Sequence, residues 1–193
     1  MESGDDLVRL ARRAVAGDRD ALDELLRELE PLVVRTARLI VGSGSWAAED
    51  AAQEALLDVT RGIASLRAPE AVRTWALRVA TTRAIKVARR ERYLALRRAA
   101  AMADELAVGP ADDRSLALKE AFDRLPPKLR ATAVLRLYVG LSEAETADVL
   151  GTSLGTVKSN LHDARKRLAA TLGERGHAPA ASKPCLEETA DAC

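Results

Sequence analysis

Near the C-terminal end of the chain, a small set of residues carries the groups that a nucleic-acid reader needs. Gly155, Ser159, His162 and Lys166 recur at three- and four-residue steps, so they share one arc of a helix, with Lys158 on one side and Asp163 on the other. Hydroxyl, imidazole and ammonium groups on such an arc donate to base edges and phosphates. Short side chains at the helix start let it enter a major groove. Arg165 and Arg167 project to the sides of the same helix, where phosphates would lie. This is the chemistry of recognition. No constellation of carboxylates, histidines or cysteines offers acid–base catalysis or a ligand set, so the sequence predicts no catalytic residue, no metal and no cofactor.

The elements that position this arc are legible around it. Val157, Leu161, Ala164 and Leu168 recur on the opposite side and should pack inward. Ser142 and Glu145 have the spacing of a capping box, in which each side chain satisfies a backbone N–H left free by the first helical turn. A short helix should start at Ser142 and bury Ala144, Ala147 and Leu150. Leu150-Gly151-Thr152-Ser153 then supplies a glycine turn and a polar cap for the next helix. Any amphipathic helix has a polar outer face, and alone it would as readily be a solvated surface. The capped helix, the glycine corner and the basic helix together read as a helix-turn-helix from Leu141 to Leu172.

Composition sets the frame. The 193 residues are 48% hydrophobic, which excludes wholesale disorder, and only 3% aromatic; Ala, Leu, Arg and Glu dominate, favouring helix over sheet. No run has the length of a membrane span, and Met1 to Asp20 is charged throughout, so a cytoplasmic protein with no membrane insertion is expected. The net charge of +1 conceals segregation. Arg73, Arg78, Arg83, Lys86, Arg89, Arg90, Arg92, Arg97 and Arg98 are opposed within their segment only by Glu91. Asp20, Asp23, Glu24, Glu28 and Glu30 precede that block; Asp104, Glu105, Asp112 and Asp113 follow it. Segregated charge suits faces that meet different partners.

Helices are predicted from Leu7 to Ala16, Asp20 to Val41 (accommodating Pro31), Ala47 to Ile63 and Pro69 to Arg98. Val108-Gly109-Pro110 followed by paired acids marks a linker over 99–117. A second helical unit starts near Arg114, breaks at Pro126-Pro127, resumes through Val139 and ends in the helix-turn-helix. In the third helix Ala52, Ala55, Leu56, Val59 and Ile63 form the inward arc. Asp50, Gln53, Glu54, Leu57 and Arg61 face out. An apolar residue rimmed by acids is either a solvated face or a dock for a basic partner helix.

Four motifs in order, Ala48-Glu49-Asp50-Ala51-Ala52-Gln53-Glu54, Val72-Arg73-Thr74-Trp75, Leu125-Pro126-Pro127-Lys128-Leu129-Arg130 and Gly155 to Leu168, closely resemble the extracytoplasmic-function sigma factors of bacterial RNA polymerase. The resemblance covers about residues 5 to 172. It implies an all-α fold of two small helical domains joined by a flexible linker. These would be a region 2 bundle (1–98), the linker (99–117), a region 4 helix-turn-helix domain (118–172) and a disordered tail (173–193). It implies a promoter-specificity subunit and not an enzyme, with a polymerase-independent helix-turn-helix regulator as the alternative. Asp50, Gln53, Glu54 and Leu57 would dock on the clamp helices of the beta-prime subunit of polymerase core, with the beta subunit as a second contact. Arg73, Arg78, Arg83, Lys86, Arg89 and Arg90 would hold promoter DNA at the minus-ten element. Lys158, Ser159, His162, Asp163, Arg165, Lys166 and Arg167 would meet the minus-thirty-five element. An anti-sigma factor is a further partner such proteins can have, and the protein would join the nucleoid when bound to polymerase.

The chain departs from the family pattern at Val72, where an aromatic is common, at Ala76 and Leu77, and at Thr82. Trp75 is expected in the core. Trp46 would staple the third helix. Asp163, where relatives carry a base, would accept from a cytosine amino group or pair with Arg167 one turn on, with the pair favoured. His177, Cys185 and Cys193 in the tail match no compact zinc spacing.

Overall fold

The computed structural model describes residues 2–42, 46–101 and 114–176, and every extended element among them is helical. In order they are α1 (Glu2–Val15), α2 (Arg19–Val41), α3 (Trp46–Gly62), two short 3-10 turns (Ile63–Ser65 and Pro69–Ala71) and α4 (Val72–Ala101). After the linker come α5 (Arg114–Arg124), α6 (Pro127–Ala133), a π-wound turn (Val134–Tyr138), α7 (Glu143–Leu150) and α8 (Leu154–Gly176). Residues 102–113 of the expected linker, and His177, Cys185 and Cys193 of the tail, lie outside the described residues.

Local chemistry fixes the helix ends. The Asp18 side chain accepts from the Ala21 N–H at 3.0 Å and caps α2, while Arg13 pairs with the same carboxylate at 2.7 Å. The backbone bond first, and Arg13 second, hold the Asp18 carboxyl below its ordinary range. Pro31 sits exposed within α2, which runs through it to Gly42. At the end of α3, a Cβ on Gly62 would lie 3.0 Å from the Trp75 ring. Glycine is what lets helix and indole approach so closely. Trp75 is half-buried against the core, as its type suggested.

Helices α1 to α4 form a bundle whose lower core gathers Leu10, Leu25, Leu29, Val59, Ile63 and Val72. Five buried alanines, Ala47, Ala48, Ala51, Ala52 and Ala55, let α3 lie close against α2 and α4. The second half packs directly onto this bundle. Ala131 and Val134 join Val33, Ile40, Ala80 and Ala84 in one core, and Leu77 of α4 meets Leu135, Leu141 and Val149 in another. Burying each of these larger side chains contributes ~1.5–3 kcal/mol.

One buried guanidinium gathers several carbonyls at the seam. Arg130 is 6% exposed, and its Nη1 donates to the Ile40 and Val41 carbonyls at 3.1 Å each, at the C-terminal end of α2. Its Nη2 donates to the Leu125 carbonyl at 3.3 Å and to that of Asp123, and the Asp123 carboxylate lies 3.4 Å away. Beyond Ala88 the halves part, leaving a groove of about 650 Å³ between the far end of α4 and the α5–α6 corner.

Two expectations about packing need correction. Helix α7 buries Thr146, Ala147 and Val149, leaves Ala144 exposed and Leu150 only half-buried. Its buried side is turned by α4, where Leu77 receives Val149. Trp46 does not staple α3, because its ring is 80% exposed.

Candidate nucleic-acid interface

The helix-turn-helix is built as its residues dictate. Ser142 Oγ accepts from the Glu145 N–H at 3.2 Å, and Glu145 Oε2 accepts from the Ser142 N–H at 2.7 Å, closing the capping box. The Ser142 hydroxyl first, and the Ser142 backbone N–H second, hold the Glu145 carboxyl below its ordinary range. Gly151 ends α7 at φ 60°, a left-handed conformation that favours glycine, and the Thr152 N–H reaches back to the Ala147 carbonyl at 3.0 Å. Ser153 then caps α8: its Oγ accepts from the Thr156 N–H at 3.2 Å.

Val157, Leu161 and Ala164 of α8 are buried and Leu168 half-buried, so the predicted inward arc holds. Ala164 and Leu168 pack on Leu125 and Ala133, and the Asn160 amide reaches Thr132 Oγ1 at 3.5 Å. This seating turns Lys158, Ser159, His162, Asp163, Arg165, Lys166 and Arg167 outward together, all exposed. Lys158 lies 3.8 Å from Glu143, a loose and solvated pair. Asp163 forms no ion pair among the described residues, with Arg167 or any other cation. The favoured Asp163–Arg167 pair is therefore absent, because both side chains extend into solvent where a one-turn pair gains little.

The basic residues of α4 divide. Arg73, Lys86, Arg89 and Arg90 are exposed, and none has an ion-pair partner among the described residues. Arg78 instead donates to the Asp148 carbonyl of α7. Arg83 is drawn toward α3, pairing with Asp58 at 2.5 Å and with Glu54 at 2.7 Å. Of the expected row of six, Arg78 and Arg83 are thus bonded to other helices of the protein, Arg78 at an exposed position, and the other four form no ion pair among the described residues. Sequence reasoning passed over Tyr93, which is 60% exposed with the Arg97 guanidinium 5.9 Å from its ring centroid. Its four-residue spacing from Arg89 and Arg97 was the available signal.

On α3, Asp50, Gln53, Glu54 and Leu57 are all exposed on the side turned away from α2 and α4. Leu57 is 51% exposed, and Glu54 carries the Arg83 pair. The molecule therefore presents an acidic face with an apolar centre on α3 and basic faces on α4 and α8. Such surfaces bind; they break no bonds. Among the described residues no group of three His, Cys, Asp or Glu side chains is placed to hold a metal ion, and no helix is long and apolar enough to cross a membrane.

Comparison with known proteins bears on both halves. The Sigma-70 region 2 family matches residues 25–93, and the Sigma-70 region 4 family matches residues 115–168. The chain is 38% identical over 165 residues to the ECF RNA polymerase sigma factor SigM of Mycobacterium tuberculosis (strain ATCC 25618 / H37Rv), covering 82% of this chain and 81% of that one. It is 34% identical over 178 residues to the ECF RNA polymerase sigma factor SigD of Mycobacterium bovis, covering 86% and 83%. Among solved structures it is similar to CnrH in complex with the cytosolic domain of CnrY, with a TM-score of 0.65, 22% identity and coverage of 88% and 98%. It is also similar to the sigma factor RpoE in complex with the anti-sigma factor NepR from Bartonella quintana, with a TM-score of 0.55, 23% identity and coverage of 78% and 96%. These last two likenesses are of fold.

Proposed function

This chain belongs to the ECF RNA polymerase sigma factors, and from that membership we infer that it binds polymerase core and directs initiation at particular promoters, with no catalysis of its own. The observation that carries the detailed reading is the separation of one acidic, apolar-centred face from two basic ones. Asp50, Gln53, Glu54 and Leu57 dock on the clamp helices of the beta-prime subunit, and the region 4 half makes a second contact with the beta subunit. Lys86, Arg89, Arg90 and Arg73 follow the backbone of the minus-ten DNA. Arg78 and Arg83 work from within, Arg78 holding α7 and Arg83 fixing α3 against α4.

Extruding a base from duplex costs a few kcal/mol, which contacts to the freed strand offset. The nucleotide chemistry is left to the polymerase. On α8, Lys158, Ser159, His162 and Asp163 stand nearest the helix start and read base edges, whereas Arg165, Lys166 and Arg167 neutralise phosphates. An anti-sigma factor is a further partner, competing for these same faces. The working place of such a protein is the cytoplasm, at the nucleoid when polymerase is bound.

The test is association with purified core polymerase, read by native gel. Gln53→Arg should weaken it while far-UV circular dichroism stays unchanged, because Gln53 is exposed. Gln53 is cleaner than Glu54, whose loss also frees Arg83. Parent-like association of Gln53→Arg, together with tight sequence-specific duplex binding in the absence of polymerase, would favour the self-sufficient regulator instead.

A further inference from the structure

Trp46 opens α3 and is 80% exposed, the most exposed of the large hydrophobic side chains described. A single apolar residue at the surface needs no explanation. Its register does. Trp46, Asp50, Gln53 and Leu57 follow one another at steps of four, three and four residues, the spacing of a seam by which one helix packs along another. At 1.5 Å per residue, Trp46 and Leu57 stand about 16 Å apart along α3, three turns of helix. Asp50 and Gln53 lie between them, and Glu49 and Glu54 rim the seam. The protein does not use this seam internally, since α3 packs on α2 and α4 through Ala47, Ala48, Ala51, Ala52 and Ala55. Trp46 stands immediately before Ala47-Ala48-Glu49-Asp50, within the segment that the region 2 family matches.

We propose that Trp46 and Leu57 are the two apolar anchors of a helix-on-helix contact with a basic helical surface of polymerase core, and that Trp46 carries the larger part of its affinity. The proposal rests on the docking reading given above and extends its surface by four residues toward the start of α3. Charge points to the partner's chemistry: Asp50 forms no ion pair among the described residues, and Glu49 and Glu54, though paired with Arg38 at 2.6 Å and Arg83 at 2.7 Å, keep half-exposed carboxylates that a partner's cations can share. Seam spacing fixes the partner's shape as a helix. An indole buried at the edge of such a contact loses a large apolar surface from water while keeping its N–H for a polar partner. Trp is also among the residues over-represented where binding energy concentrates.

The experiment measures core association of the full chain by surface plasmon resonance, at low and at high salt. Trp46→Ala should bind about 30-fold more weakly, mainly through faster dissociation, and Trp46→Phe should recover most of the loss. Leu57→Ala should lose less. The Trp46→Ala deficit should persist at high salt, whereas the deficit of Asp50→Asn should shrink, since only the latter is screened. Gln53→Arg serves as the separating control. If Gln53→Arg weakens association and Trp46→Ala does not, the anchor is overturned and the docking reading stands. If neither weakens it, the docking reading fails and takes the anchor with it. A Trp46→Ala loss confined to low salt would equally overturn the proposal. So would unchanged core association with weakened promoter binding by holoenzyme, which would place the ring on DNA.

Discussion

Arg130 offers the sharpest test of how the two halves are held. Its guanidinium is the donor for two carbonyls at the end of α2 and for two more across the α5–α6 corner, all in a site from which water is largely excluded. Burial pulls its pKa down, and Asp123 works against that. Arg130→Met keeps much of the stem's volume and removes every donor. A hydrogen bond to a charged group is worth ~1.5–3 kcal/mol, and a buried carbonyl left without a donor costs ~1–3 kcal/mol. Asp123 is 41% exposed and can be hydrated, so its lost partner adds little. The carbonyls end a helix and part of their loss is recoverable by water, which brings the expected total to ~3 kcal/mol. With a urea dependence of ~2–3 kcal/mol per molar, the unfolding midpoint should fall by about 1–1.5 M. The transition should also broaden or split, because the lost bonds to Ile40 and Val41 cross between halves. Arg130→Lys, with one ammonium for four acceptors, should fall between. A single transition of Arg130→Met within about 0.2 M of the parent's midpoint would refute the argument.

Replacing Arg89 and Arg90 by Ala should impair open-complex formation on duplex promoters more than on templates already mismatched at the minus-ten element, as permanganate footprinting would show; equal impairment would indicate a general phosphate contact. Lys158 and His162 variants should change which minus-thirty-five sequences holoenzyme prefers in a randomised library, whereas Arg165 and Arg167 variants should weaken all of them alike and flatten the salt dependence, by roughly 0.9 in log–log slope for each phosphate released. Ser142→Ala should cost about 1 kcal/mol at neutral pH by urea denaturation. Because the capping bonds lower the Glu145 carboxyl, their contribution is full above the ordinary glutamate range and is lost as pH falls through the lowered value. The gap between Ser142→Ala and the parent should therefore narrow on acidification, and a gap that widened would contradict the sign.

What could be read from the residues alone was whatever short-range rules govern. The capping box at Ser142 and Glu145, the glycine corner, the inward arc of α8 and the outward arc of α3 all depend on neighbours within a turn or two, and each is present. The expectations that failed depend on residues far away in sequence. A helix of eight residues holds too few apolar positions to declare its buried side, and α4 decided it for α7. Arg83 looked like one more cation in a basic block; only the approach of α3 shows that Asp58 and Glu54 claim it. Arg130 stood in a recognised motif, yet its carbonyl partners on α2 lie some ninety residues earlier, beyond any local pattern. Trp46 was misjudged for the opposite reason, since a staple presumes a neighbour and the indole has solvent instead.

The packing of α7 against α4 has a geometric consequence for promoter recognition. With α7 packed on both α4 and α8, α8 stands two interhelical spacings of 8–10 Å from α4, some 20 Å in all. The minus-ten and minus-thirty-five elements are separated by roughly 25 base pairs, which at 3.4 Å each is ~85 Å of duplex. On the proposed assignment of α4 and α8 to these two elements, this arrangement would reach one of them or the other but would not span both. On that assignment, the contact of Leu77 with Leu135, Leu141 and Val149 would have to part for the protein to bridge both. Every 1.4 kcal/mol by which the folded-up form is favoured then reduces tenfold the fraction of molecules able to bridge the promoter. Polymerase would thus act on this chain as a frame that holds it at full stretch, as well as the enzyme it directs.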